Sequence, residues 1–260
     1  MVLLTSSACD LQLSLERFAA ECEAARMKIS TSKSETRVFS WKRVECPLRV
    51  GNENLPQVEE LKYLRVLFTS EGQMEQEIDR WIGAASALMQ ALPVVVKKEL
   101  SQKAKLSIYR LIYVPTLTYG HELWVVTERT RLRIQAAEMG FLRRVSGLSL
   151  RDEVRSSVIQ EGLGVEPLLL RIERSQMRWV GHLVRMPPGR LTGEVFQARP
   201  TGRRPRVRPR TCWRDYVSRL AWERLRVPPE ELKEVAGDRD VWVSLLKLLP
   251  PRPDPRISGR

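Results

Sequence analysis

From about residue 73 onward, apolar side chains recur at spacings of three and four almost without interruption, which restricts most of the chain to helix. The pattern predicts helices over 74–91, 101–113, 128–145, 154–161 and 167–185. Pro115 and Pro187-Pro188-Gly189 should each stop regular helix, because a proline donates no helical hydrogen bond. Two more helices are predicted over 211–226 and 238–249. Between them, Pro228-Pro229 and the acidic Glu230-Glu231 suit a helix start. The first 72 residues read differently. Leu11, Leu15, Phe18, Cys22 and Ala25 make one helix face, with Ser6 or Ser7 as N-cap. An apolar run at 1–7 and short runs at 36–40, 47–50 and 62–69 read as strands, with a turn at Gly51-Asn52. The expected class is α+β, predominantly helical: a small antiparallel sheet, then helices.

Charge narrows the partner. The net charge is +13 and the pI about 10.1, a balance that favours a polyanion, of which nucleic acid is the commonest. The excess is local: residues 171–226 hold fifteen Arg, no Lys and four acids. In helix 167–185, Trp179, Leu183 and Met186 read as a core stripe with His182 packed beside it. Arg174, Arg178 and Arg185 line the opposite edge. In the run "GRRPRVRPRTCWRD" (202–215), alternating Arg and Pro should hold the chain extended with Arg203, Arg204, Arg206, Arg208 and Arg210 splayed outward. The run resembles the Gly-Arg-Pro core of AT-hooks, but Val207 stands where a second glycine would help. Backbone contact is therefore expected over deep groove insertion. A basic linker or nuclear-import signal needs only the same charge and exposure.

Cys9, Cys22, Cys46 and Cys212 are widely spread, and His121 and His182 stand alone, so neither a disulfide framework nor a metal site is expected. Such cysteine usage fits a reducing, intracellular compartment. No apolar run is long enough for a membrane span, and no secretion signal is seen. Walker loops, Gly-x-Ser-x-Gly elbows and His-Glu-x-x-His motifs are lacking, and Glu59-Glu60 reads as a solvated loop.

Five segments carry a family resemblance: "MKISTSKSE" (27–35), "LKYLRVLFTS" (61–70), "IYVPTLTYGHELW" (112–124), "FLRRVSGLSLRDEVRSSVIQEGLGVEPL" (141–168) and "RSQMRWVGHLVRM" (174–186). In order and spacing they resemble the region from the end of the palm through the thumb of non-LTR (LINE-type) retrotransposon reverse transcriptases. The resemblance implies a palm remnant at 1–72, a thumb-like helical region at 73–150 and post-thumb helices at 151–191. An Arg/Pro-rich linker at 192–210, C-terminal helices at 211–249 and a disordered tail at 250–260 would follow.

Several site assignments come with it. Lys33 matches the palm lysine that meets charge on the leaving pyrophosphate, although a solvated surface lysine looks the same in sequence. The segment "LKYLRVLF" matches the primer-grip hairpin, with Tyr63 and Leu64 in place. Arg26 and Arg65 stand where the family has glycine. Lys97, Lys98, Lys103 and Lys105 fall on the thumb, where they would meet phosphates of an RNA/DNA duplex. Trp124 would anchor the thumb core.

In the family, a Tyr-Ala-Asp-Asp or Phe-Ala-Asp-Asp turn holding two magnesium ions precedes a segment like "MVLL". The chain is thus expected to match the part downstream of the metal site, to hold no cofactor itself and to be inactive alone. The implied setting is nuclear, on an RNA template. A recruited nucleic-acid-binding module and a decayed reading frame remain open alternatives.

Overall fold

The computed structural model describes residues 2–5, 7–38, 44–69, 74–92, 100–198 and 212–252. The chain divides into two compact units, residues 1–73 and 74–260. The fold is α+β and predominantly helical, with two small antiparallel sheets of two strands each.

In the N-terminal unit, α1 (Ala8–Ala24) starts at Ser7, whose hydroxyl accepts a hydrogen bond from the Asp10 amide. Leu15 and Cys22 are its buried positions. The helix ends in a Schellman turn: Met27 N–H reaches the Cys22 carbonyl at 2.8 Å and Arg26 N–H the Glu23 carbonyl at 2.9 Å. Arg26 takes the left-handed position, φ 56°, that this turn requires. Strands β1 (Arg49–Val50) and β2 (Glu53–Asn54) pair across the Gly51-Asn52 turn. Strands β3 (Glu60–Tyr63) and β4 (Val66–Thr69) form a second hairpin.

The strand-like run over 62–69 is thus two strands, in agreement with the hairpin that the primer-grip resemblance implies. Its turn residues, Leu64 and Arg65, both have positive φ (47° and 67°), the geometry that matches the twist of a two-residue hairpin. Residues 2–5 of the expected first strand take no regular structure, with Val2 and Leu4 exposed. Thr36 makes a single parallel bridge to Gln57 rather than a strand. The unit's core is small: Leu15, Cys46, Leu48 and Leu55, with Leu3, Leu11, Val38 and Val50 against them. Side-chain amides extend its short strands. Gln12 both donates to and accepts from the Arg49 backbone at 3.0 Å. Gln57 bridges the Cys46 amide and Val44 carbonyl in the same way.

The second unit is all helical among the described residues. It comprises α2 (Glu75–Ala91), α3 (Gln102–Ile108), a π turn (Tyr109–Tyr113), α4 (Val114–Leu117), α5 (Glu128–Ser146) and α6 (Ser156–Gly162). After them come α7 (Leu168–Val184), α8 (Leu191–Gln197), α9 (Trp213–Leu225), α10 (Leu232–Gly237) and α11 (Arg239–Lys247).

Two expectations change here. Helix does not stop at Pro115. The wider π turn shifts the carbonyl register just before it, so α4 starts with the proline in its first turn, where its lacking N–H costs nothing. Residues 192–197 of the expected linker are helical, within α8. The rest of that linker from residue 199, and the tail from residue 253, lie outside the described residues.

The core centres on α7. Leu168, Ile172, Met177, Val180 and Leu183 are buried along its inner face. Opposite them, Trp242 of α11 lies across Gly181, where an added Cβ would come within 2.6 Å of the indole. The indole N–H donates to the Met177 carbonyl at 2.9 Å. Trp124 is fully buried, as its anchoring role requires.

Arg26 and Arg65 occupy left-handed positions that cost a side-chain-bearing residue about 1–2 kcal/mol, part of which glycine gives back in unfolded-state entropy. Arg26→Gly and Arg65→Gly are each expected to stabilise the N-terminal unit by about 0.5–1 kcal/mol. Native-state labelling of the buried Cys22 and Cys46 thiols should slow about twofold to fivefold. Unchanged or faster labelling would show that these turns are not strained.

Candidate nucleic-acid interface

The buried polar side chains of the helical unit are structural ties. Glu138 of α5 accepts from Tyr109 Oη (2.8 Å) and the Leu168 amide (3.1 Å) at Oε1, and from Gln160 Nε2 (3.1 Å) at Oε2. It thereby joins the π turn, α6 and the first turn of α7, where the Leu168 N–H has no helical partner. Burial pushes its carboxyl up to about 7 against the opposing pull of those three donors. Gln176 of α7 donates to the carbonyls of His121 (2.9 Å) and Trp124 (2.8 Å) and accepts from Tyr216 Oη at 3.0 Å. Burial raises the Tyr216 hydroxyl to about 12, so it stays a donor. Glu173 receives Arg224 Nε at 2.9 Å and Arg252 Nε at 2.5 Å. A cavity of about 440 Å³ reaches Glu138 past Arg131, Ser156 and Gln160, but protein donors already hold both carboxyl oxygens. His121 sits with Nδ1 against the Thr118 carbonyl, and burial lowers its pKa, favouring the neutral ring.

The outer face of α7 is different. Arg171, Arg178, His182 and Arg185 are exposed, with Arg174 and Ser175 half-buried between them, and no acid interrupts them. The face divides into fixed and free cations. Arg174 donates to the Leu246 carbonyl and pairs with Glu166, and Arg185 donates to the Ala236 carbonyl. Arg171 and Arg178 have no hydrogen-bonding or ionic partner among the described residues. His182 stacks on Trp179, ring centroids 5.1 Å apart and planes 29° apart. The core reading of Trp179 and His182 is thus corrected: Trp179 is half-buried at the edge of the stripe and His182 is exposed. The inner face is already filled by Leu168, Ile172, Gln176 and Leu183 at its own helical spacing.

A second basic surface is the cleft of about 760 Å³ lined by Arg214, Arg219, Trp222 and Lys233, with Asp215 and Glu230 at its wall. Trp222 is 47% exposed, and the Arg226 guanidinium lies 6.0 Å from its ring centroid.

The other expected residues fall as follows. Lys33 ends a 3₁₀ turn (Thr31–Lys33) rather than a strand. It lines a cavity of about 430 Å³ together with Lys62 and Tyr63, so the structure brings the palm-like lysine and the grip-like tyrosine to one cavity. Leu64 is 68% exposed at the hairpin tip. Lys103 is exposed and Lys105 is buried at 8% exposure, so the two differ in access to a phosphate. Lys97, Lys98, Arg203, Arg204, Arg206, Arg208 and Arg210 lie outside the described residues. Sequence reasoning passed over Arg171, although its seven-residue spacing from Arg178 and Arg185 marks the stripe, and over Glu138, which no motif surrounds.

Among the described residues, no three His, Cys, Asp or Glu side chains converge as a metal site. They therefore do not fit the magnesium pair that the resemblance implies for the intact polymerase. No described helix is long and apolar enough to cross a membrane.

Comparison with known proteins agrees on origin. A transposon-derived protein of Caenorhabditis elegans is 22% identical over 247 residues, covering 90% of this chain and 87% of its own length. A probable RNA-directed DNA polymerase from transposon X-element of Drosophila melanogaster is 26% identical over 214 residues, covering 81% of this chain. The chain is related to transposon-derived proteins. It spans 87% of the first relative and 23% of the second. No protein-family model and no solved structure matches it.

Glu138 gives this architecture a pH signature. Its folded pKa is raised, so the folded chain holds the proton more tightly than the unfolded chain. That contribution to stability is complete below about pH 4.5 and is lost as pH rises through about 7. The stability difference between Glu138→Gln and the parent chain should therefore shift in favour of the variant by about 2 kcal/mol between about pH 5 and pH 8. Denaturant titrations at both pH values measure it, and a pH-independent difference would contradict the assignment.

Proposed function

We propose that this chain is the thumb and basic C-terminal part of a non-LTR retrotransposon reverse transcriptase, adjoining the end of its palm. Its work is to hold nucleic acid rather than to catalyse synthesis on its own. One observation carries the reading: a basic helical face on which Arg171 and Arg178 have no partner among the described residues, in a chain related over most of its length to a transposon polymerase. The segments resembling the palm lysine strand, primer grip and thumb support the same reading. So does the cavity shared by Lys33 and Tyr63. Arg and Lys contacts to phosphates supply position and affinity without reading sequence. The magnesium-dependent chemistry and a nuclear setting belong, on this reading, to the intact polymerase.

A second reading has its own support. The worm relative is matched over 87% of its length and so holds little beyond what this chain holds. That favours a nucleic-acid-binding module acting without a polymerase centre.

Two measurements test the proposal. Primer extension on an RNA template with magnesium should yield no product from the purified chain, and template-dependent extension would contradict the assigned role. Duplex affinity should fall with salt along a log–log slope of roughly −0.9 per phosphate contacted. A flat slope, or no duplex binding, would remove the duplex backbone as the partner.

A further inference from the structure

We propose that the outer face of α7 is a binding site for single-stranded nucleic acid, in which an unpaired base stacks on the Trp179–His182 pair while Arg171 and Arg178 hold phosphates of the strand on one side of that base. The inference rests on the nucleic-acid reading above and adds to it a place and a strand state.

Its first support is that Trp179 and His182 are spared from the core. The inner face of α7 is closed by other residues, and Trp179 is not among the described side chains that pack on the unit's apolar core. The aromatic pair is nonetheless ordered as a stack, 5.1 Å and 29°, and it ends in the exposed His182 ring. The pair therefore presents aromatic surface at the edge of the helix, part of it on a fully exposed ring. Such a surface suits a base of any sequence, because every base has a π face.

The second support is the arrangement of cations. Arg171, Arg178 and Arg185 are seven residues apart, so each step rises about 10.5 Å along one side of the helix. Arg174 and Arg185 are tied back to carbonyls of α11 and α10. Arg171 and Arg178 have no partner among the described residues and lie on the N-terminal side of the aromatic pair.

The strand state follows from combining the two. A closed duplex keeps its bases stacked inside and presents phosphates, so it would use the arginines and leave the aromatic pair idle. Only a splayed base can use both.

Fluorescence anisotropy on the full chain tests this with labelled single-stranded oligothymidylate, oligouridylate and a blunt mixed-sequence duplex. Trp179→Ala/His182→Ala should weaken single-strand binding about tenfold and duplex binding by less than about twofold. Trp179→Phe/His182→Phe should restore single-strand affinity, which separates stacking from a folding defect. Arg171→Ala/Arg178→Ala should flatten the single-strand salt slope by roughly 1.4.

Parent-like single-strand binding by the double-alanine aromatic variant overturns this inference and leaves the nucleic-acid reading standing. No binding of any probe by the parent chain overturns both. Photo-crosslinking of a 4-thiothymidine oligonucleotide to the parent chain is independent of any variant's folding. Adducts within 171–185 support the site, and adducts only elsewhere overturn it.

Discussion

The helical unit depends on Gly181 having no side chain. A Cβ there would meet the Trp242 ring at 2.6 Å, well inside contact distance, so α11 could not lie across α7 as it does. With the gap open, the indole fills it and donates to the Met177 carbonyl one turn earlier on the same helix. That contact fixes the rotation of α7 about its axis. Glu173 and Gln176, eight and five residues before Gly181, then point inward. Each is satisfied only by partners from other elements: Arg224 and Arg252 for the one, the 121–124 turn and Tyr216 for the other. A buried carboxylate or amide left half-paired is costly, so these ties resist any other rotation of the helix.

The basic stripe is the other side of the same constraint. Arg171, Arg174, Arg178, His182 and Arg185 are outside because Ile172, Gln176, Val180 and Leu183 are inside. Surface and core are thus coupled in one helix: the packing that positions the cations is also what leaves Trp179 and His182 without a place in the core. The N-terminal unit solves a different problem. Its strands are two to four residues long and its core has four buried apolar side chains, too few to hold a sheet by burial alone. Gln12 and Gln57 supply the missing backbone partners with their side-chain amides. Its turns, by contrast, carry arginine where left-handed geometry favours glycine.

Much of this was legible in the sequence, for reasons that differ by element. Helical periodicity placed α1, α2, α5, α7 and α9, because long amphipathic segments state their buried face repeatedly. The hairpin at 60–69 is legible only through the primer-grip resemblance, since Leu64 and Arg65 carry none of the glycine or asparagine that announces such a turn. Helix through Pro115 could not be read because the compensating π turn is made by tertiary packing of Tyr109 and Tyr113 against Phe141. Trp179 and His182 were assigned inward on their spacing with Leu183 and Met186. The assignment failed because α7 had more apolar positions than its buried arc could take. Glu138 had no local signature: its role arises from three partners that are 22 to 30 residues away.

On the reading proposed above, α7 turns outward, as a grip for unpaired bases, a stacked aromatic pair and two arginines that have no partner among the described residues. Hydroxyl-radical footprinting of the parent chain tests it most directly, with and without single-stranded oligothymidylate. Oxidation of Trp179 and His182 should fall on binding while that of the exposed Trp222 stays unchanged. Unaltered oxidation of Trp179 and His182 under saturating oligonucleotide would contradict the claim.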